Sequence, residues 1–511
     1  MGKKMCKAVS RILAIVFVAA AILVPGQKIS AAEDEIVLRI SNWEEYIDQG
    51  GWADDEIIDL ESGDIFGEND LISDFEEWYY GTYGQKVRVE YSTFGTNEEL
   101  YSQLTLGDVF DLVCPSDYMI MKLMREEALC PLSEDFFDES NEYNYYIKGV
   151  SPFIKDTFDN NSINGESWSR YAAGYMWGVT GIVYNPDKVT NEEASTWGIL
   201  NNPKFKRQVT IKDNVRDAYF PTLGILFREK LLNSDFINSE NYREELLEIM
   251  NSSDEDTIAE AEILLKEIRD NVYSFETDSG KSDMVTGKVV ANLQWSGDAV
   301  YAMDQAEEDG VFLEWAVPEE CTNLWFDGWV MLKSGIGKDE KKQHAAEAFI
   351  NFMSRPDNAV RNMYYIGYTS AIAGGDDTRV YEYIEWCYGA EEGESDIEEY
   401  PLGYFFSGDD ADEDYILTTA SDQTKRQLSA QYPLSSEINR SAVMLSFDKE
   451  TNAQINQMWI NVRCFNLSEI SARTWIAVLA VVFAVVILIV IYLLRNKIFR
   501  PKMKKGYHIV E

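Results

Sequence analysis

Short apolar runs alternate with polar loops along this chain, the pattern of strands and helices taking turns. Ile36-Val37-Leu38-Arg39-Ile40 predicts a buried strand, with Asn42-Trp43-Glu44-Glu45-Tyr46 as a loop at its end. Helical spacing predicts a helix over Leu71 to Tyr80, and alternation predicts a strand over Lys86 to Tyr91. A further helix is expected from Asn97 to Leu106, with Asn97 as its N-cap. Asp111 to Cys114 is a short strand running into Pro115-Ser116-Asp117-Tyr118. Tyr175 to Asn185 is almost wholly apolar and suits a strand that crosses between two lobes. Val209 to Asp217 repeats the strand-then-polar-loop pattern, helices follow over Tyr242 to Met250 and Thr257 to Asn271, and the strand Val289 to Leu293 delivers Trp295 and Asp298. The acidic stretches 48–70 and 374–430 read as solvated surface loops.

The two ends have patterns of their own. Lys3, Lys4, Lys7 and Arg11 lead into the apolar run Ile12 to Val24 and the small residues Ser30-Ala31-Ala32, which predicts an export signal cut near Ala31 or Ala32. Trp475 to Leu494 is apolar and long enough for a transmembrane helix, and the basic residues from Arg495 to Lys505 place the tail in the cytoplasm. The expectation is an external protein held by one C-terminal helix.

Composition narrows the function classes. A formal net charge of −43 repels nucleic acid and anionic lipid and attracts cations. Outside the apolar span and the tail, the one histidine is His344, in a predicted helix over Lys341 to Met353, where it reads as a surface or satisfied side chain. Hydrolases built on a Ser/His/Asp or Cys/His pairing are thereby excluded. The cysteines left after the leader, Cys114, Cys130, Cys321, Cys387 and Cys464, have neither disulfide-framework nor zinc spacing. The acids of 48–70 miss the EF-hand spacing, and no metal or cofactor site is expected.

Candidate chemistry lies in two short sequences, Trp295-Ser296-Gly297-Asp298 and Trp325-Phe326-Asp327-Gly328. An indole face attracts an ammonium and covers methylenes, and a carboxylate beside it binds the ammonium itself. Together they suit a small organic cation with an apolar spine. Either tryptophan alone is as well explained by core packing.

Further landmarks carry a resemblance: ISNWEEYI at 40–47, YSTFGTNEELYSQL at 91–104, DLVCPSDYMIMKL at 111–123, YMWGVTGIVYN at 175–185, KDNVRD at 212–217, LQWSGDA at 293–299, LWFDG at 324–328, INFMSRPDNA at 350–359 and IGYTSA at 366–371. In order and spacing the chain resembles the spermidine/putrescine-binding family of extracellular solute receptors, the polyamine-binding components of ABC importers. The resemblance implies an α/β, two-lobed periplasmic-binding-protein-like (type II) fold with hinge-crossing strands, and a binding protein rather than an enzyme. It puts Trp43, Tyr46, Trp295, Trp325 and Tyr368 around the polyamine chain, with Glu45, Ser116, Tyr118, Asp217, Asp298 and Asp327 meeting its amines and Asp117 beside them. Where spermidine receptors have an aspartate this chain has Asn214, with Asp213 before it as a substitute, while Asp298 agrees with putrescine-type receptors; substrate length stays open.

The implied organisation is a signal peptide (1–32), a first lobe (33–177 and 325–378), a second lobe (178–324 and 379–465), a linker (466–474), the transmembrane helix (475–494) and a cytoplasmic tail (495–511). The implied partners are the polyamine, ABC permease subunits with their cytoplasmic ATPase, and the membrane. Two other readings compete: a receptor of the same fold for a sugar, amino acid or metal, and a glycosidase using a pair of carboxylates.

Overall fold

The computed structural model describes residues 35–53, 55–464, 483–485 and 487–492. The expected leader, linker and basic tail lie outside the described residues. Eight strands form the main path of a twelve-stranded sheet: β1 (Ile36–Trp43), β2 (Val87–Phe94), β3 (Leu112–Val113), β4 (Ala172–Tyr184), β5 (Val209–Lys212), β6 (Ser274–Glu276), β7 (Ala291–Trp295) and β8 (Thr322–Leu332). Their order is β2-β1-β3-β8-β4-β7-β5-β6.

The two central strands do the crossing. β4 and β8 are 13 and 11 residues long and buried throughout, which is why β4 reads as a nearly continuous apolar run, while β8 carries Asn323 and Asp327 among its apolar residues. They pair antiparallel from Leu324 opposite Val179 to Val330 opposite Ala172. Beyond Val179, β4 changes partner, and Thr180 to Tyr184 pair with β7. One strand thus belongs to both halves of the sheet. The flanks are parallel, β1 with β2 and β3 on one side, β5 with β6 and β7 on the other.

Two hydrophobic cores result. The larger gathers β1 to β3, the first part of β4, and helices such as Glu340–Met353 and Pro356–Ile366. The smaller collects Ile182 and Tyr184 with Trp197, Ile211, Tyr219 and Leu265, and is closed by Ile455, Met458 and Val462 of the helix Lys449–Arg463.

Several expectations need correction. β1 runs on through Trp43, so Asn42 and Trp43 belong to the strand and the loop starts after them. Thr96, not Asn97, caps the helix Asn97–Leu106: its hydroxyl accepts from the Glu99 amide, and the Asn97 side chain is free to turn inward. Residues 48–70 are not a solvated loop, because Trp52, Ile58, Leu60 and Ile65 are buried in the larger core. Nor is 374–430, which forms the helix Arg379–Tyr388 and a hairpin, Ile397–Pro401 with Ile416–Ala420. Its aromatic rings, Tyr383, Tyr400 and Phe405, are buried in the larger core while the acids of 409–414 stay at the surface. Within 374–430 the spacing of Val380, Tyr383 and Ile384 is that of a helix with one buried face, and the surrounding acids mask it; burial of such apolar side chains docks both stretches.

His344 is satisfied, its Nδ1 lying 3.0 Å from the Tyr79 hydroxyl. The five described cysteines are free. Of the expected membrane span 475–494, residues 483–485 and 487–492 are described, as helix, and the remainder lies outside the described residues. Among the described residues no helix is long and apolar enough to cross a membrane.

Candidate functional site

A cavity of about 890 Å³ opens where the parallel strands end and their helices begin. Each such junction delivers a carboxylate. After β3, Asp117 opens the helix Asp117–Arg125; after β5, Asp217 stands in the first turn of Val215–Leu226; after β7, Asp298 stands in the first turn of Ser296–Glu308. Residues far apart in sequence converge because every strand-to-helix unit turns at the same edge of the sheet.

All the residues singled out from the sequence line this one cavity. Trp43, Glu45 and Tyr46 come from the end of β1, and Ser116, Asp117 and Tyr118 follow β3. Asp213 and Asp217 follow β5, Trp295 and Asp298 follow or end β7, Trp325 and Asp327 lie within β8, and Tyr368 follows the helix Pro356–Ile366.

Asp327 is a buried carboxylate that faces no cation within ion-pair distance among the described residues. It accepts from the Ser116 hydroxyl at 2.7 Å and from the Tyr46 hydroxyl at 2.8 Å. Pairing of β8 with β4 shifts register between Asp327 and Gly328, and Ser116 forms an isolated bridge with Asp327 there. Such an irregularity re-aims a side chain out of the ladder. Burial pushes the Asp327 carboxyl up to about 6, against the two hydroxyl bonds that favour its ionised form. The Tyr46 hydroxyl is raised well above the ordinary phenol range, first by burial and then by the Asp327 charge, and so remains a donor.

Beside it, burial also raises Asp117 well above the usual carboxylate range, opposed by the Tyr118 amide that donates to it at 2.6 Å. Asn97 organises this corner. Its amide nitrogen donates to the Ser116 and Tyr118 hydroxyls at 3.1 and 3.0 Å, and its oxygen accepts from the Ser116 amide.

On the other side of the cleft, Trp295 Nε1 donates to Asp217 at 3.2 Å, and burial raises the Asp217 carboxyl to about 6. Asp298 is differently placed. Lys212 Nζ lies 3.5 Å from one of its oxygens and Lys281 Nζ 3.3 Å from the other, and the Tyr368 hydroxyl donates to it at 3.2 Å. Asp213 accepts from Arg463 at 2.7 Å, while Asn214 caps the following helix by accepting from the Arg216 amide at 2.8 Å. Asp213 therefore reaches the cavity as one half of an ion pair.

The aromatic walls are set by close packing. Tyr368 stands edge-on to Tyr46, centroids 5.2 Å apart, and 5.6 Å from Trp325. A Cβ on Gly297 would fall 2.0 Å from the Tyr368 ring, and one on Gly178 would fall 2.6 Å from the Trp325 indole. These two glycines make room for the rings.

Nine carboxylates and two lysines line the cavity, so its field is strongly negative. Lys212, Lys281 and Glu276 were not singled out from the sequence, and Asn97 was read only as a helix cap. Lys212 closes the strand Val209-Thr210-Ile211-Lys212, in which all four residues are buried, and no local pattern marks it as a buried lysine.

The family described as bacterial extracellular solute-binding protein matches residues 70–382. The chain is 27% identical over 353 residues to the spermidine/putrescine-binding periplasmic protein of Salmonella typhimurium, covering 68% of this chain and 82% of that one. It is 24% identical to the putrescine-binding periplasmic protein PotF of Escherichia coli, covering 66% and 79% respectively. Among solved structures, the spermidine/putrescine ABC transporter substrate-binding protein PotD of Streptococcus pneumoniae superposes with a TM-score of 0.53 at 22% identity, over 84% of this chain and 98% of that one. The likeness establishes the two-lobed, periplasmic-binding-protein-like α/β fold.

Proposed function

This chain belongs to the bacterial extracellular solute-binding proteins, and from that premise we propose that its solute is a polyamine, putrescine or spermidine, delivered to the permease of an ABC importer. It is a solute-binding protein and not an enzyme, which sets aside a glycosidase role for its carboxylates. The observation that carries the reading is Asp327, a buried carboxylate held by two neutral hydroxyls and facing the same cavity as Trp295, Trp325 and Tyr368.

In this reading an ammonium supplies the positive charge that no side chain places within ion-pair distance of Asp327 or Asp217 among the described residues. An ammonium leaving water loses strong hydration, which only fixed carboxylates restore. The methylenes between the amines are buried against indole and phenol faces at ~0.8 kcal/mol each, and each cation–π contact adds about 0.5–2 kcal/mol. A neutral sugar would leave these carboxylates uncompensated. Ligand binding draws together the two lobes, joined by β4 and β8, because the cation relieves repulsion between carboxylates of the facing walls. The lobes of this proposal are 33–177 with 325–378, and 178–324 with 379–465; the rings of the last segment, such as Tyr383 and Tyr400, pack in the larger core and its helix Lys449–Arg463 in the smaller, so it touches both.

A leader over 1–32 and a membrane helix over 475–494 complete the proposal: an external receptor tethered beside its permease, with a basic cytoplasmic tail. The basis is the apolar runs and basic flanks of the sequence. Recovery of the mature protein from the carbonate-washed membrane fraction supports the tether, and recovery from the soluble fraction removes it.

Calorimetry with the purified protein tests the solute. Putrescine or spermidine is expected to bind at micromolar concentration or below, and glucose and glutamate not at all. Trp295→Ala is expected to weaken the amine about tenfold or more. Equal binding of a sugar, or no amine binding, overturns the assignment.

A further inference from the structure

The arrangement around Lys212 has the features of an ammonium site that is already filled. Lys212 is fully buried. Its Nζ lies 4.1 Å from the Trp295 ring, donates to the Thr277 carbonyl at 2.9 Å, and stands 3.5 Å from Asp298 and 3.6 Å from Glu276. An aromatic face, two carboxylates and a carbonyl are what a ligand ammonium would need. Here the chain's own side chain takes that place, and Lys281 adds a second cation to Asp298 from the other side.

The cavity carboxylates therefore fall into two groups. Asp298 and Glu276 are ion-paired to lysines of the chain, whereas among the described residues no cation lies within ion-pair distance of Asp327 or Asp217. An amine entering near Asp298 meets a lysine, loses the carboxylate partner it needs and faces a like charge in a poorly solvated place. Amines at Asp327 and Asp217 meet no such obstacle.

Resting on the polyamine reading, we infer that Lys212 is a built-in cation that occupies one ammonium position of the cleft, so that the protein selects a diamine of putrescine's class over a triamine. Lys212 is a specificity-determining residue that acts through Asp298 and the Trp295 face, and Lys281 assists it.

Calorimetric titration of the full chain with putrescine and with spermidine, for the wild type, Lys212→Met and Lys281→Met, tests this. The wild type is expected to prefer putrescine by about tenfold or more. Lys212→Met frees a carboxylate pair and should move the spermidine-to-putrescine affinity ratio toward spermidine by about tenfold, a shift that general loosening of the fold would not produce. Since Lys212→Met leaves two buried carboxylates unpaired and can fail to fold, the partly exposed Lys281→Met supplies the second arm, with a shift in the same direction of about threefold. A wild type that prefers spermidine, or a ratio unmoved in the folded variants, overturns the inference while leaving polyamine binding intact. A wild type that binds neither amine removes both, and does so before any variant is made.

Discussion

The Tyr46 hydroxyl donates to the Asp327 carboxylate at 2.8 Å, joining residues 281 positions apart across the wall of the cleft. Tyr46 comes from the loop after β1 and Asp327 from the middle of β8, so the bond forms only when the first lobe is complete. It also holds the carboxylate in its ionised form against burial. Tyr46→Phe removes this donor and leaves Ser116 alone. Putrescine affinity at pH 7 is expected to fall about three- to tenfold, and the pH at which binding is half lost to rise by about one unit, both read by calorimetry across pH.

A second prediction concerns protons. Burial holds the Asp327 and Asp217 carboxyls at about 6, above the ordinary value of 3.8 that the unfolded chain would show. Between these values the native state binds protons that the unfolded state does not, so the penalty each carboxyl imposes on folding is absent below about 3.8, grows as the pH rises and is complete above about 6, at about 3 kcal/mol each. An arriving dication must find both carboxylates bare. At pH 5 each is about nine-tenths protonated, and affinity is expected to be about 100-fold weaker than at pH 7.5. Near pH 6 binding releases protons, detectable as a dependence of the binding heat on the buffer's ionisation enthalpy. A flat profile from pH 5 to 7.5 contradicts the assignment of these two groups.

Gly297→Ala should act through Tyr368. The new Cβ would stand 2.0 Å from the Tyr368 ring, far inside contact distance, and ring and helix must part. The ring carries the hydroxyl that donates to Asp298 and packs against Trp325 and Tyr46. The expected result is a loss of amine affinity of about tenfold or more with stability lowered by about 1–3 kcal/mol, measured by titration and by urea unfolding.

Arg361 should matter to stability and not to the ligand. It donates to Asp48, which is fully buried, at 2.8 Å and to Asp74 at 2.7 Å, and also to the Asn69 carbonyl. It thereby fastens the 48–70 stretch to the helix Pro356–Ile366. Arg361→Met strands the Asp48 charge in the interior, and a loss of about 3–5 kcal/mol is expected in denaturant unfolding, with putrescine affinity at low temperature changed less than about twofold.

The parts of the molecule that could be read from sequence are those fixed locally. β4 announced itself by an unbroken apolar run, and Trp295 and Asp298 by their place directly after a strand. Lys212 could not be read in the same way. A lysine at a strand end ordinarily faces water, and its burial depends on Asp298, 86 positions further on, arriving beside it. The same holds for 48–70, whose docking rests on an arginine 313 positions beyond Asp48. Asp213 looked available as a carboxylate until Arg463 of the last helix proved to be its partner. Local pattern pointed to Trp295 and Trp325, the family resemblance added Trp43, Tyr46 and Tyr368, and long-range pairing decided which of the charges are free.

The central claim is that Asp327, backed by Tyr46 and Ser116, receives an ammonium within walls formed by Trp295, Trp325 and Tyr368. A crystal structure of the protein with putrescine tests it most directly. An amine nitrogen is expected within about 3.2 Å of an Asp327 oxygen, with the alkyl chain lying along those rings. An amine seated elsewhere, with the Asp327 carboxylate still bonded to Tyr46 and Ser116 alone, would contradict it.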